Sequence, residues 1–254
     1  MPSLDSALAK FSWAQGYLQT LDAEITAFLE RGPYPVTVKP DDKTGKRTIH
    51  VAIREKPPAQ RWALMTGDIV HNLRSSLDHV VHDLSNRIRG TAFPIFDNRD
   101  KYAALDGNGQ PSQSSGLWKV RGLTQAHQAL VESLQPYHAG DASHLEPLWV
   151  LHDLDIVDKH RLLLVLDEIL EGSSVIAYTF GADMPEVRIE HGTFEDGAQI
   201  GCYTVTPPDA EVNMDFGVAF DVTLDPSPLG YTLRDTLRML VGATENVLFR
   251  FRTT

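Results

Sequence analysis

An α+β fold is predicted for this chain, and three observations predict it. Two long segments near the start carry apolar residues at three- and four-residue steps, as one face of a helix requires. Between about 162 and 224 the pattern changes to short β-rich runs separated by turn residues, and from about 232 to 250 helical spacing returns. The expected architecture is a mainly helical N-terminal part with an inserted β-hairpin, then an antiparallel β-sheet and a C-terminal helix. Residues 1–160 form the expected helical region, with the hairpin at 35–54 and a long loop at 90–123. Residues 161–254 form the expected sheet plus last helix, packed on the helical region.

The first helix is expected from about Leu4 to Arg31, on Leu4, Leu8, Phe11, Ala14, Leu18, Leu21, Ile25 and Phe28. Ser3 is its candidate N-cap, and Gly32-Pro33 supplies a left-handed stop followed by a residue that cannot continue the helix. Val36 to Val38 and Arg47 to Arg54 read as strands, because Ile49, Val51 and Ile53 alternate with polar residues and DDKTGK between them is turn chemistry. Pro57-Pro58 opens a second long helix that runs to about Ile88 and stops at Arg89-Gly90. Its apolar stripe is Ile69, Val70, Leu73, Leu77, Val80, Val81 and Leu84, extended backwards by Trp62 and Met65.

Residues 90–123 are rich in Gly, Pro, Ser and Asn, with one short helix expected near Asn98 to Leu105. Within that loop Phe93-Pro94-Ile95-Phe96 is expected to pin the chain to the core, and Trp118, Lys119 and Arg121 to be solvated surface. Thr124 caps a short helix to about Leu134, QPYHAGD breaks it, and a further helix is expected from about Ser143 to His160. That helix is apolar nearly all round, the pattern of a helix enclosed by others. The LLLVL run after Lys159-His160-Arg161 suits a strand or a continued helix, since short apolar runs do not separate the two. SSVIAYTF, PEVRIEH, QIGCYTV and VNMDFGVAFDVTL read as strands.

Composition narrows the function. The chain has 254 residues, 42% of them apolar, which is enough for a large core. With 34 acidic against 23 basic residues its formal charge is −11, so neither duplex DNA nor an anionic membrane is an expected partner. Cys202 is the single cysteine, which excludes an intrachain disulfide and any multi-cysteine metal centre, and a reducing cytoplasm is the expected compartment. No stretch approaches the roughly 20 apolar residues needed to cross a bilayer, and MPSLDSALAKF lacks the form of a secretory leader. Cys202, in an expected strand, reads as a small buried hydrophobe.

Two constellations carry candidate chemistry. On the second helix His71, Ser75, Asp78 and His82 share one face, with Arg74 and His79 flanking it on opposite sides. Ordinary i,i+4 pairing of Arg74 with Asp78 and of His79 with Asp83 is the structural alternative. The second constellation is His152, Asp153, Asp155, Asp158 and His160 in HDLDIVDKH. A buried charge is tolerated only when it is paired, so one of these three carboxylates is expected to hydrogen-bond to Arg74, His79 or another base of the second helix. The same histidines and carboxylates are chemically adequate for a divalent metal, which makes a metal-dependent hydrolase a third reading. No cofactor is expected.

The Arg74-Ser75-Ser76-Leu77-Asp78-His79 segment resembles the arginine–four residues–histidine signature of the HEPN superfamily, many of whose members are metal-independent endoribonucleases. The resemblance implies RNA as substrate, Arg74 as phosphate stabiliser, His79 as general acid or base, and cleavage through the 2′-hydroxyl. It also implies a homodimer, because residues five apart point about 140° apart on one helix and a composite cleft is needed to bring them to one phosphate. Where the family commonly has Asn, Asp or His after the arginine, this chain has Ser75. The chain is similar as well to uncharacterised bacterial proteins with an LRSxLDH helix followed by a DKHR segment, for which no activity is assigned. A non-catalytic binding or structural protein is the alternative reading.

Overall fold

The computed structural model describes residues 4–160, 164–169, 175–179, 187–189, 195–208, 212–216, 220–225 and 230–253. The fold is α+β, and the chain divides into two compact units: Met1–Asp22 with Arg61–Leu164 and Pro226–Thr254, and Ala23–Gln60 with Val165–Asp225. The division therefore interleaves the chain, grouping the hairpin with the later strands and the last helix with the earlier ones. The expected cap Ser3, and Arg161 with the first residues of LLLVL, lie outside the described residues.

In the first unit, α1 (Asp5–Glu30, continuing into the second unit) buries Ala7, Phe11, Ala14, Leu18 and Leu21 at the expected helical steps. Helix α2 (Ala59–Leu84) buries Trp62, Met65, Ile69, Val70, Leu73, Leu77, Val80 and Val81, while Leu84 is half-buried. Ser6 Oγ donates to Asp83 Oδ2 at 2.6 Å and Lys10 Nζ to Asn72 Oδ1 at 3.1 Å, which ties the start of α1 to α2. Helix α2 ends four residues before the expected Ile88. Asn86 and Arg87 both take left-handed backbone (φ 54 and 58), and Arg87 N–H closes the turn onto the His82 carbonyl.

The long loop is built around short helices α3 (Arg99–Tyr102) and α4 (Gly116–Lys119), capped by Asn98 and Ser115. Helix α5 (Gln125–Ser133) starts at the expected cap, with Thr124 Oγ1 accepting from His127 N–H. A 3-10 stretch (Pro136–Leu145) then precedes α6 (Pro147–His160), so α6 begins later than Ser143. The expectation that α6 is enclosed on all sides is corrected: Leu148, Val150, Leu151, Leu154 and Asp155 are buried, but Ile156 is 41% exposed. Helix α7 (Leu233–Thr253) packs on α6, and Arg238 ties it to Asp22 of α1 at 2.6 Å.

In the second unit, β1 (Val36–Pro40) and β2 (Lys46–Val51) form the expected hairpin, with Val36 opposite Val51 and Pro40 opposite Arg47. Asp41 organises its turn, accepting from Lys43 N–H and Thr44 Oγ1, and Gly45 (φ 72) closes it where a Cβ would lie 2.3 Å from the Val205 carbonyl oxygen. The remaining strands are β3 (Leu164–Ile169), β4 (Val175–Thr179), β5 (Arg188–Ile189), β6 (Gln199–Thr204), β7 (Val212–Phe216) and β8 (Phe220–Asp225). They do not make one sheet: β1-β2-β6-β5 is a four-stranded antiparallel sheet, and β3 pairs with β8 and β4 with β7. Leu164–Ile169 is thus strand rather than a continuation of α6.

Candidate functional site

Helix α2 presents Arg74 to the chain segment that follows it. The side chain is buried, with Nη1 donating to Asp78 Oδ1 at 2.7 Å and Nη2 donating to the Phe93 carbonyl at 2.8 Å. Asp78 Oδ1 accepts in addition from Phe93 N–H at 2.9 Å. The i,i+4 pair of one helix therefore satisfies both backbone groups of a fully buried residue in an extended segment.

The rest of that segment is secured in the same way. Gln135, itself 3% exposed, donates from Nε2 to the Pro94 carbonyl at 2.9 Å and accepts at Oε1 from Phe96 N–H at 3.1 Å. Tyr137 N–H donates to the Phe96 carbonyl at 3.2 Å. Phe93 and Ile95 are buried, so Phe93-Pro94-Ile95-Phe96 does pin the loop to the core. An extended segment outside any sheet has no ladder to satisfy its amides, and polar side chains must supply the partners. Gln135 had no signal in the sequence beyond its place before a proline.

Two further basic groups feel the charge of Arg74. Lys119, expected to be solvated surface, is half-buried; its carbonyl accepts from Ala92 N–H at 3.2 Å and its ammonium sits 5.3 Å from the centre of the Phe96 ring. Burial first, and then the positive charge of Arg74, push the Lys119 pKa down, against a smaller opposing pull from Asp78. His152 of α6 feels burial, Arg74 and Lys119 in that order, and its pKa is pushed below 6.5 although Asp155 and Asp153 oppose the shift. Its Nδ1 is shielded and has no hydrogen-bond partner among the described residues.

The His152 shift has a consequence for stability. A histidine whose folded pKa is depressed favours the folded state fully above its ordinary value of 6.5, and that contribution is lost as pH falls and the unfolded chain takes up the proton first. Asp158, raised by burial, Asp155 and Asp68, acts with the opposite sign from 3.8 upward. Comparison with a variant isolates the histidine: chemical denaturation at pH 7.5 and 5.5 is expected to show a smaller acid loss for His152→Gln than for the parent chain. An equal loss in both would remove His152 from the account.

The carboxylates of α6 cluster elsewhere, where α6 crosses α2. At Gly67 a Cβ would lie 2.2 Å from Asp158 Oδ1, so the absence of a side chain there permits the close approach. Asp155, 2% exposed, accepts from Lys159 Nζ at 2.5 Å, and His71 Nδ1 lies 3.5 Å from its other oxygen. The expected base from the second helix is thus His71, at ion-pair distance, and the hydrogen bond itself comes from within α6. Arg74 and His79 do not reach Asp155. His160 is exposed at the end of α6. Among the described residues no group of three or more His, Cys, Asp or Glu side chains is arranged to hold a metal ion.

The remaining expected site residues stay apart from Arg74. Ser75, His79 and His82 are half-buried, and none of them bonds to its guanidinium. Trp118 stacks with Arg121 at 4.0 Å, and Cys202 in β6 is half-buried rather than fully enclosed. Among the described residues no helix is long and apolar enough to cross a membrane. No family model, curated protein or solved structure matches the chain.

Proposed function

We propose that this protein is a non-catalytic binding protein and that the Arg74–Asp78 pair is a clamp of its fold. The observation that carries this reading is the state of the arginine fork. A residue that stabilises the transition state of phosphoryl transfer must offer its planar donors to the incoming group. Here one Nη donates to Asp78 and the other to the Phe93 carbonyl, and the side chain is 10% exposed. Turning the fork outward would leave a buried carbonyl without its donor.

A second reading, a HEPN-like metal-independent endoribonuclease acting as a homodimer, is favoured by one feature: His79 is not fully buried and makes no bond to the Arg74 guanidinium, and histidine is the residue type suited to proton transfer near neutral pH. One experiment separates the two. Purified protein is incubated with single-stranded or transfer RNA in the presence of a metal chelator, and the products are examined for 2′,3′-cyclic phosphate ends. The binding reading expects intact RNA. The nuclease reading expects cleavage that falls on the order of 100- to 10,000-fold in His79→Ala with an unchanged melting temperature, and a dimeric mass at micromolar concentration. Cleavage with those properties would overturn the reading preferred here. A reducing cytoplasm is the compartment proposed, on the single cysteine.

A further inference from the structure

We propose that the cavity bordered by the end of α5, the 3-10 stretch, the start of α6 and the middle of α7 binds a small organic amine in its protonated form. The proposal gives the binding-protein reading above a ligand chemistry, and rests on that reading for the absence of turnover.

The cavity has a volume of about 570 Å³, within the roughly 300–1,000 Å³ of small-molecule sites, and its lining belongs to the first unit alone. Leu148 and Val247 are buried and Pro147 and Met239 half-buried, so an apolar body finds apolar contacts there. On α7 Gly242 offers no side chain, and no heavy atom lies within 4 Å of the place its Cβ would take. The wall formed by the 3-10 stretch is held in place. His138 Nε2 donates to the Glu132 carbonyl at 2.9 Å, His138 N–H donates to the Gln135 carbonyl at 3.2 Å, and Gln135 is itself bonded to Pro94 and Phe96. A wall that is already fixed does not have to be ordered when a ligand arrives.

The polar groups of the lining share one sign. Among the described residues that line the cavity there is no lysine or arginine, and the one carboxylate, Glu146, enters no ion pair or side-chain hydrogen bond among the described residues. The carbonyls of Ser133 and Leu134, at the C-terminal end of α5, accept no hydrogen bond among the described residues, and that end of a helix carries partial negative charge. The Glu132 carbonyl can only accept, so the proton of the His138 ring sits on Nε2, and the neutral ring offers Nδ1 as a further acceptor. An unpaired carboxylate, open helix carbonyls and a ring nitrogen beside an apolar base are complementary to an ammonium on an apolar stem: the ammonium supplies three donors and a positive charge, and the stem takes the apolar contacts. A carboxylate or phosphate ligand would meet the same groups as repulsion.

The test is titration calorimetry on the full chain at pH 7.5 with phenethylamine, n-hexylamine, ethylamine, hexan-1-ol and hexanoate. Phenethylamine and hexylamine are expected to bind saturably at millimolar concentration or below, more tightly than ethylamine, which lacks the apolar stem, and than hexan-1-ol, which lacks the charge; hexanoate is expected not to bind. Glu146→Gln is expected to weaken hexylamine about fivefold, the upper end of what an ion pair open to water contributes, and to leave hexan-1-ol unchanged. Its melting temperature should stay at the parent value, because the Glu146 side chain is exposed and makes no contact that the fold depends on. Gly242→Leu is expected to weaken both amines about tenfold or more by occupying the cavity, while the melting temperature holds or rises, since leucine is the better helix former and meets open space there. Absence of saturable binding of both amines overturns the proposal, as does hexanoate binding as tightly as hexylamine, or amine binding indifferent to both substitutions. RNA cleavage in the assay above would remove the non-catalytic reading, and the titration would still decide the amine site, so the two failures are distinct.

Discussion

Arg74→Ala is expected to lower the unfolding free energy by about 3 kcal/mol, which is a large share of the stability of an ordinary domain. The substitution removes the donor from the carbonyl of Phe93, a residue with no exposure, and an unsatisfied buried acceptor costs roughly 1–3 kcal/mol. It also deletes the buried stem of the arginine and leaves Asp78 without its cation. Asp78 is 37% exposed, so water can take over part of the lost contact, which holds the cost below the roughly 3–5 kcal/mol of a fully buried broken pair. Arg74→Lys is expected to recover about half, since an ammonium on a shorter reach replaces one of the two donors well. Denaturant unfolding with an unchanged m-value measures the difference. A loss under about 1 kcal/mol would show that the Phe93 segment does not depend on this clamp, and the structural account of Arg74 would fall.

Much of the helical unit was legible because burial leaves a periodic trace. Phe11, Ala14, Leu18 and Leu21 on α1 and the Ile69 to Val81 stripe on α2 are buried as their spacing demands. Local chemistry was equally readable: Thr124 caps α5, and Asp41 with Gly45 shapes the hairpin turn. What stayed hidden was the choice of distant partners. The i,i+4 spacing announces the Arg74–Asp78 pair, yet nothing local says that both will hold a backbone amide 15 to 19 residues away. The hairpin was visible, but the pairing of β2 with β6, Ile49 opposite Gly201, is set by topology rather than by alternation. Lys119 looked like solvated surface because its half-burial depends on how the loop folds over Phe96. His152 was grouped with its neighbours in sequence, whereas in space Asp155 faces His71 and Lys159, and after burial the charges of Arg74 and Lys119 are what push the His152 pKa down.

Gly116→Ala is expected to destabilise the protein by about 3 kcal/mol, the reverse of what helix propensity alone predicts. Gly116 is the first residue of α4, directly after the cap Ser115, whose Oγ accepts from Trp118 N–H at 3.1 Å. At such a position alanine normally gains up to about 1 kcal/mol over glycine, through the smaller entropy of the unfolded chain. Here the added Cβ would lie 2.1 Å from Cδ2 and 2.4 Å from Cε2 of Tyr102. That ring cannot swing aside: Tyr102 is 2% exposed and stands edge-on to Phe96 at 5.9 Å and to Tyr137 at 5.8 Å. Relief must come from displacing α4 or the aromatic cluster, and overpacking of that kind costs roughly 1–3 kcal/mol and sometimes more. A double-mutant cycle with Tyr102→Leu isolates the clash, because Gly116→Ala in that background is expected to cost less than 1 kcal/mol. A neutral or stabilising Gly116→Ala would mean that α4 and Tyr102 part readily, and the long loop would then owe its order to the Phe93 clamp and Gln135 alone.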